Sequence, residues 1–192
     1  HDLAGAIGTI DNCLNLLENT NESIRLRARS LVYTESGNLV NRIRFFRSAY
    51  GVNEGENKMS IVGITKLLKD FLQCTDILLN ISIDEGILYI DSLLAKAVIS
   101  LASIASDNVG GRGNVSIDIK GNNDDVSIEM SAKGKNLSLN EESLKILSTT
   151  VRCKVNVKNC REHYIKSILN KLEYKISVSM DSNVIKYNVC KN

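Results

Sequence analysis

The sequence has no proline, no tryptophan, only two histidines and no long hydrophobic run. No apolar stretch reaches the roughly 18 residues that a membrane-spanning helix needs, and no basic-then-apolar signal segment stands at the start of the chain. A formal net charge of +2 argues against a dedicated nucleic-acid binder, for which a strongly basic balance is expected. We therefore expect a cytoplasmic protein with neither a membrane nor a nucleic-acid partner.

The cysteines form no recognisable framework. They are odd in number and widely spaced, and no Cys-x-x-Cys pair occurs, which argues against both a disulfide scaffold and a zinc site. We expect them to be small buried residues in a reducing compartment. The five are Cys13, Cys74, Cys153, Cys160 and Cys190.

The first 51 residues have the pattern of a helical hairpin. Apolar residues follow one another at steps of four, three, four and three, which predicts a first helix over 1–17. A polar break at 19–22 predicts a turn, with an asparagine or Ser23 as the cap of a second helix over 23–50. Gly51 ends that helix. The two stripes are Leu3, Ile7, Ile10, Leu14 and Leu17, and Leu39, Ile43, Phe46 and Tyr50.

One hairpin cannot remove both apolar stripes from water, whereas two copies can do so by forming a four-helix bundle. We therefore predict a homodimer with a two-fold axis. The alternative is that the hairpin packs on the C-terminal part of its own chain. The predicted domains are a dimerisation hairpin at 1–51, a linker at 52–58 and a second domain at 59–192.

Beyond the linker, helical and alternating patterns follow one another. They predict an α+β sandwich, with helices on one face of a mixed sheet. The predicted helices are 59–74, 91–105, 140–149 and 160–172, and the predicted strands are 78–83, 87–90, 114–120, 125–131, 175–180 and 183–189. The first two strands are expected to pair around a turn at 84–86.

Three stretches of this chain resemble known signalling proteins. His1-Asp2-Leu3, followed by small residues and Ile10, resembles the phosphoacceptor box of sensor histidine kinases. The sequence is more similar to the ChpT-type histidine phosphotransferases of alphaproteobacteria, in the stretches HDLAGAIGTI at 1–10 and RIRFFRSAYG at 42–51, and in 164–172 followed by two strands. These proteins pair a dimeric bundle with a degenerate kinase ATP-binding-like domain.

The resemblance implies a histidine phosphotransferase in a bacterial phosphorelay. His1 would take a phosphoryl group from the receiver domain of a hybrid histidine kinase and pass it to the receivers of response regulators. The receiver would bring the aspartyl phosphate and Mg²⁺, so the chain itself is expected to bind no cofactor and no metal.

The residue types at the first two positions suit this chemistry. A histidine is largely neutral near cytoplasmic pH, and a neutral ring nitrogen can act as the nucleophile. Asp2 could bind the other ring nitrogen and orient the imidazole, as carboxylates do for histidines elsewhere. His1 is thus the predicted phosphoacceptor and Asp2 the residue that orients it.

Small residues follow His1 within two helical turns. Glycine inside a helix costs about 1 kcal/mol relative to alanine, so a compensating contact is expected. We predict that Ala4, Gly5 and Gly8 let a partner protein approach closely. A tight crossing of helices inside the bundle is the open alternative.

The residues that hold Mg-ATP in kinases are missing. The helix register that resembles the kinase Asn-box places Lys96 and Ser100 where asparagines would be. The segment 131–135, Ser-Ala-Lys-Gly-Lys, lacks the Asp-x-Gly-x-Gly pattern, and the glycines at 110–113 stand directly before a strand, which favours a turn over a phosphate cradle. No ATP use is therefore expected.

Two other functions stay open, a divergent ATP-using sensor-type histidine kinase and a non-catalytic dimeric adaptor for receivers. The arginines of the second helix could steer acidic receivers or simply be a solvated face. His163 has no cysteine or histidine at ligand spacing, so we predict an ordinary surface or packing residue.

Overall fold

The computed structural model describes residues 3–52, 57–122, 125–149 and 154–192. The chain divides after Ser48 into two compact units. The first is a helical hairpin, and the second, which starts at Ala49, is an α/β unit with its own core. Of the predicted linker, Val52, Asn57 and Lys58 are described, and Lys58 already belongs to a strand.

The hairpin consists of α1 at Ala4–Asn15, a short 3-10 turn at Leu16–Glu18 and α2 at Glu22–Tyr50. The second helix is capped by Asn21, whose side chain accepts a hydrogen bond from the N–H of Ser23 at 2.9 Å. The prediction of an asparagine cap is therefore confirmed, and Ser23 lies inside the helix. Arg25 closes the turn by donating to the carbonyl of Asn19 at 3.2 Å.

The α/β unit alternates helices and strands. Its described helices are α3 at Ile61–Leu72, α4 at Ser92–Asn108, α5 at Glu141–Ser148 and α6 at Cys160–Lys171. Its described strands are β1 at Lys58–Ser60, β2 at Asp76–Ile83, β3 at Tyr89–Asp91, β4 at Arg112–Gly121, β5 at Val126–Lys133, β6 at Tyr174–Asp181 and β7 at Val184–Lys191.

The main sheet has the order β2-β4-β5-β7-β6 and is mixed, as predicted. Only β2 and β4 pair in parallel, and α4 lies in the crossover between them, whereas the other neighbours pair antiparallel. The strands predicted at 114–120 and 125–131 pair as the hairpin β4–β5, and those predicted at 175–180 and 183–189 pair as the hairpin β6–β7.

The predicted pairing of the first two strands is wrong. β3 pairs instead with β1 in a separate two-stranded sheet, where Ile90 lies opposite Met59. The turn after β2 is tied to β4, because the N–H of Asp84 donates to the carbonyl of Ile119 at 2.9 Å. The Asp84 carboxylate accepts from the N–H of Gly121 at 2.9 Å, which holds the chain beside β4 at the place where a hairpin would have turned back.

Helix α4 lies at the centre of the α/β unit. Every residue except Leu93 and Asp107 is buried, because the helix contacts the sheet as well as α3 and α6. A helix that is apolar or small on all sides can be buried in this way. Asp91 caps the helix by accepting from the N–H groups of Leu93 at 2.7 Å and Leu94 at 3.2 Å.

The prediction that the cysteines are buried is only partly correct. Cys13 is buried as expected, but Cys74, Cys160 and Cys190 are exposed, so most of the described cysteines are not core residues. None of the helices in the described ranges is long and apolar enough to cross a membrane.

Candidate functional site

The predicted phosphoacceptor His1 and the predicted orienting residue Asp2 lie outside the described residues. The helix that follows them is in place from Leu3, whose carbonyl accepts from the N–H of Ile7 at 3.1 Å. No side chain caps this end of α1. The roles of His1 and Asp2 therefore stay predictions.

The predicted partner-binding residues lie on the outside of α1. Ala4, Gly5 and Gly8 are exposed, and a Cβ atom built on Gly5 or Gly8 would meet no heavy atom within 4 Å. No contact within the described part of this chain therefore requires glycine at either position. Their role in partner binding is untested and stays a prediction.

The hairpin leaves large apolar side chains exposed on both arms. Ile7 and Leu14, from the predicted stripe of α1, keep 54% and 48% of their surface accessible, and Leu26 of α2 keeps 60%. A groove of about 530 Å³ lies along the hairpin, with Leu17, Leu26 and Tyr33 among its walls. Exposed apolar surface of this extent typically marks an interface.

The arginines of α2 differ in exposure and in whether they bond within the chain. Arg25 is used inside the chain, because it holds the turn through the carbonyl of Asn19. The others are exposed apart from Arg42, which is half-buried: Arg27, Arg29, Arg44 and Arg47. An exposed basic helix face remains available to an acidic partner.

The face of α4 that resembles the kinase Asn-box is covered by three residues of the same unit, Ala49, Tyr50 and Gly51, which we call the 49–51 segment. Lys96 is buried, and its Nζ donates to the carbonyl of Gly51. Burial raises the pKa of Tyr50, whose hydroxyl lies near the buried hydroxyl of Ser100. Both positions where asparagines were expected in a kinase thus contact the chain itself.

Helix α6 holds the 49–51 segment from the other side. The hydroxyl of Tyr164 donates to the carbonyl of Ala49 at 2.9 Å, and its ring meets that of Tyr50 edge-on at a centroid distance of 5.4 Å. Burial raises the pKa of the Tyr164 hydroxyl, which therefore stays protonated and able to donate.

An ion pair connects α6 to α4 nearby. Nη1 of Arg161 lies 2.7 Å from Oδ2 of Asp107 and 3.3 Å from Oγ of Ser103. Helices α4 and α6 are therefore joined directly, along the side of α4 that also carries Lys96 and Ser100.

The two glycine-containing stretches are structural. Residues 131–133 belong to β5, and the N–H of Gly134 donates to the carbonyl of Asn183 at 3.3 Å. Gly110 and Gly111 have φ angles of 60° and 78° in the turn before β4, a backbone region that glycine adopts readily. The predicted turn is confirmed at Gly110 and Gly111, whereas Arg112 and Gly113 already belong to β4.

Polar side-chain contacts join α5 to α6 and to the residue before it, Asn159. Oγ of Ser143 donates to Oε1 of Glu162 at 2.7 Å, and Nδ2 of Asn159 donates to Oε1 of Glu142 at 2.8 Å. Asn159 and Glu162 have the spacing of a capping box, but their side chains bind α5 and do not cap α6. The pattern was therefore present in the sequence, and only the tertiary structure gives its use.

His163 lies half-buried on α6, beside a cleft of about 790 Å³. Its Nε2 atom is buried and makes no hydrogen bond within the described residues. Among those residues, no group of three or more His, Cys, Asp or Glu side chains is placed to hold a metal ion. The histidine is thus a packing residue at the wall of a cleft that sequence patterns did not predict.

No protein-family model and no curated protein matches the chain. Among solved structures, the chain is similar to a bacterial phosphotransferase solved at 1.7 Å, with a TM-score of 0.84 and 17% identity over 98% of this chain and 90% of that one. It is also similar to the histidine kinase AdeS of Acinetobacter baumannii, with a TM-score of 0.51 and 13% identity over 100% and 98% of the two chains.

A third similar structure is the histidine kinase domain of the blue-light activated kinase EL346 of Erythrobacter litoralis, with a TM-score of 0.51 and 9% identity over 97% and 93% of the two chains. Identities this low establish the fold alone. The chain has an α+β fold of the histidine-kinase ATPase type, preceded by N-terminal helices.

Proposed function

We propose that this protein is a histidine phosphotransferase of a bacterial phosphorelay. The observation that carries the proposal is the match to a bacterial phosphotransferase along 98% of the chain with a TM-score of 0.84, against about 0.5 for the sensor kinases. The His-Asp pair at the start of the hairpin adds the nucleophile that such a transfer needs.

The proposed reaction has two reversible steps. In the first, a ring nitrogen of His1 attacks the phosphorus of an aspartyl phosphate on one receiver, forming the N–P bond as the aspartate oxygen leaves with its electron pair. In the second, the aspartate of another receiver attacks, and the N–P bond breaks. Asp2 would keep the proton on the other ring nitrogen, and Mg²⁺ would come with the receiver.

The α4 face supports transfer without ATP. Kinases of this fold coordinate Mg²⁺ through an asparagine here, whereas this chain has the ammonium of Lys96, buried and bonded to the carbonyl of Gly51. A cation at this position repels Mg²⁺, and Tyr50 and Tyr164 take up the adjoining surface. These residues do not fit a Mg²⁺–nucleotide complex, so the proposed reaction includes no step in which α4 binds ATP.

The exposed apolar side chains of the hairpin support a homodimer. Ile7, Leu14 and Leu26 would be removed from water by a second copy, giving the four-helix bundle expected from the sequence. The exposed residues Ala4, Gly5 and Gly8 would then lie near His1 on the surface that a receiver approaches.

Phosphotransfer from labelled receiver domains tests the proposal directly. The receivers of the source genome are phosphorylated separately and mixed with the intact protein, its His1→Ala variant or its His163→Ala variant. Since the chain has only two histidines, His163→Ala is the matched control. We expect label to pass to the intact protein and the control and to be absent from His1→Ala.

Two added arms, labelled ATP without a receiver and a receiver-binding measurement, could each overturn the proposal. Labelling of His1 by ATP in the absence of any receiver would indicate the second candidate, a sensor-type kinase. This chain is similar in fold to such a kinase over its whole length. Receiver binding without a phosphohistidine under any condition would indicate a non-catalytic adaptor.

A further inference from the structure

Strand β2 lies at one end of the main sheet, and its outer side, which we call the β2 edge, is open. The sheet order places β4 on one side of β2, and β2 pairs with no other strand in the described ranges. The residues around it, from 57 to 122, are all described. An edge of this kind presents backbone N–H and C=O groups to which another extended chain can bond.

Alternation along β2 determines which of its backbone groups face the edge. The N–H of Asp76 donates to the carbonyl of Gly111 at 3.0 Å. At the other end of the strand, the N–H of Asp84 donates to the carbonyl of Ile119 at 2.9 Å. Because bonding alternates along a strand, the even-numbered residues of β2 bond to β4 and the odd-numbered residues turn their N–H and C=O groups to the edge.

The first of the edge-facing N–H groups already has a partner. The N–H of Ile77 donates to the hydroxyl of Thr75 at 3.3 Å, so a nearby side chain takes the place of a neighbouring strand there. No such bond is made by the N–H groups of Leu79, Ile81 and Ile83 within the described residues. The free stretch of the edge is therefore 79–83.

The side chains of β2 do not protect this edge. Residues 77–83 include no charged residue and no proline, whereas natural edge strands are commonly protected by lysine or proline. On the open face of the sheet, Leu78 keeps 67% of its surface accessible. On the other face, Leu79, Ile81 and Ile83 are half-buried, although their neighbours on β4 are buried. An added strand would cover apolar surface on both faces.

The end of the β2 edge at 84–85 is negatively charged. Asp84 and Glu85 are exposed. On the adjoining strands, Asp118 and Glu129 lie directly opposite each other. Lys120 lies among these carboxylates, and its hydrogen bond with Glu129 is the main cause of its raised pKa. Since that ammonium is already paired, the remaining carboxylates attract a basic residue from outside.

The same charges argue against a second copy of this chain as the occupant. Residues 70–95, which include β2 and the segments on both sides of it, contain no lysine and no arginine. The β2 edge of another copy would therefore bring further carboxylates and no cation to an end that is already negative. Like charges that face each other across paired strands are destabilising.

We propose that the β2 edge binds an extended segment of a partner protein, which adds a strand antiparallel to β2 along residues 79–83. The segment alternates apolar and small polar residues, and a basic residue at its start lies beside Asp84 and Glu85. Antiparallel pairing is the more stable per residue, and it places the start of the segment at the end of β2. Backbone bonds supply affinity and alternate side chains supply specificity. The inference goes beyond the proposed phosphotransfer and does not depend on it.

Binding of a designed peptide to the full chain tests the proposal. The probe is the acetylated peptide amide Lys-Lys-Thr-Val-Thr-Val-Thr-Val, and the measurements are calorimetry and hydrogen exchange of single amides by NMR. We expect saturable binding that slows exchange at Leu79, Ile81 and Ile83 by roughly tenfold or more. Exchange at Leu78 and Asn80 should change little, because their N–H groups already bond to β4.

Peptides with one N-methyl group distinguish strand addition from unspecific apolar contact. Successive N–H groups of an added strand point alternately toward β2 and away from it. One peptide is methylated at its central valine and the other at the threonine that follows. We expect one of the two to lose binding and the other to stay within about twofold of the unmethylated peptide, because only one loses a bond to the edge.

Charge variants test the acidic end of the edge. Glu85→Gln should weaken binding of the lysine peptide about threefold to fivefold, as expected for the loss of one exposed ion pair. Glu141→Gln, which removes an exposed carboxylate from α5, is the matched control and should bind like the intact protein. A peptide with glutamates in place of the lysines should bind roughly tenfold more weakly.

The proposal is overturned by an absence of saturable binding, by binding without slower exchange at Leu79, Ile81 and Ile83, or by equal affinities of the two N-methyl peptides. Equal affinity of the lysine and glutamate peptides would also overturn it. Slow exchange at these residues in the free protein that becomes faster on dilution would identify a second copy as the occupant. His1→Ala should bind the peptide like the intact protein, so a failure here is distinguishable from a failure of the proposed phosphotransfer.

Discussion

The hairpin and the α/β unit differ in how much apolar surface each can bury. In the α/β unit, α4 is buried on nearly all sides, between a five-stranded sheet and two further helices. In the hairpin, α1 has Cys13 as its buried residue, while Ile7 and Leu14 stay half exposed. A sheet with helices on one face encloses a core within one chain, whereas two helices cannot.

The difference indicates separate tasks for the two regions. An exposed apolar hairpin is suited to assembly and to contact with partners, and a filled core is suited to stability. The same substitution should therefore have different consequences in the two regions, and the predictions below use matched pairs to test this.

The largest effect is expected from Ile99→Ala in α4. Ile99 is fully buried, so the variant loses transfer free energy and leaves a cavity, at a cost of about 2–5 kcal/mol in the free energy of unfolding. Ile7→Ala makes the same change in the hairpin, where 54% of the side chain is exposed in the single chain, and should cost well under half as much at protein concentrations low enough to dissociate the proposed dimer. Urea denaturation measures both, and equal losses would contradict the comparison.

A smaller effect is expected on assembly. Leu26→Lys places a charge on the exposed apolar surface of α2 and should weaken self-association by roughly tenfold or more. Leu78→Lys is the matched control, since Leu78 is as exposed but lies in β2 of the α/β unit. Sedimentation equilibrium distinguishes the two, and an unchanged association constant for Leu26→Lys would remove the hairpin as the dimer interface.

The smallest effect is expected at alkaline pH. Burial raises the pKa of Tyr187 above its ordinary value of 10.0, more than the hydrogen bond from Asn108 lowers it. Because the unfolded chain releases this proton first, the α/β unit should lose stability as pH rises above 10.0. Tyr187→Phe should flatten the fall in urea midpoint, and Tyr33→Phe in the exposed hairpin should not. Identical profiles for all three proteins would contradict the assignment.

Periodicity in the sequence predicted most secondary structure. The alternating strands on either side of 121–125 and 181–184 and the apolar periodicities of α3 to α6 are local signals that burial enforces. The cap predicted for the second helix is Asn21, and Asp91 and Asn140 cap later helices in the same way, because short polar side chains satisfy free N–H groups at helix starts. The three-residue strand β1 is too short to show a period, and it was missed.

The sequence did not predict which strands pair or which distant residues make contact. The turn at 84–86 looked like a hairpin turn, but β2 continues along β4 and β3 pairs with β1. The contacts of Lys96 and Tyr164 with the 49–51 segment join residues far apart in the chain, for which no local pattern exists. The cleft beside His163 has the same origin, since four separate elements form its walls.

The sequence by itself determined most of the order of elements, the exposed apolar hairpin, the absence of the kinase asparagines on α4 and the absence of the kinase glycine pattern at 131–135, because each of these is a matter of residue type and spacing. Only the tertiary structure decided which strands pair and what covers α4. Those features depend on the distances between side chains that the fold brings together, and distances across the chain are not encoded in any local pattern.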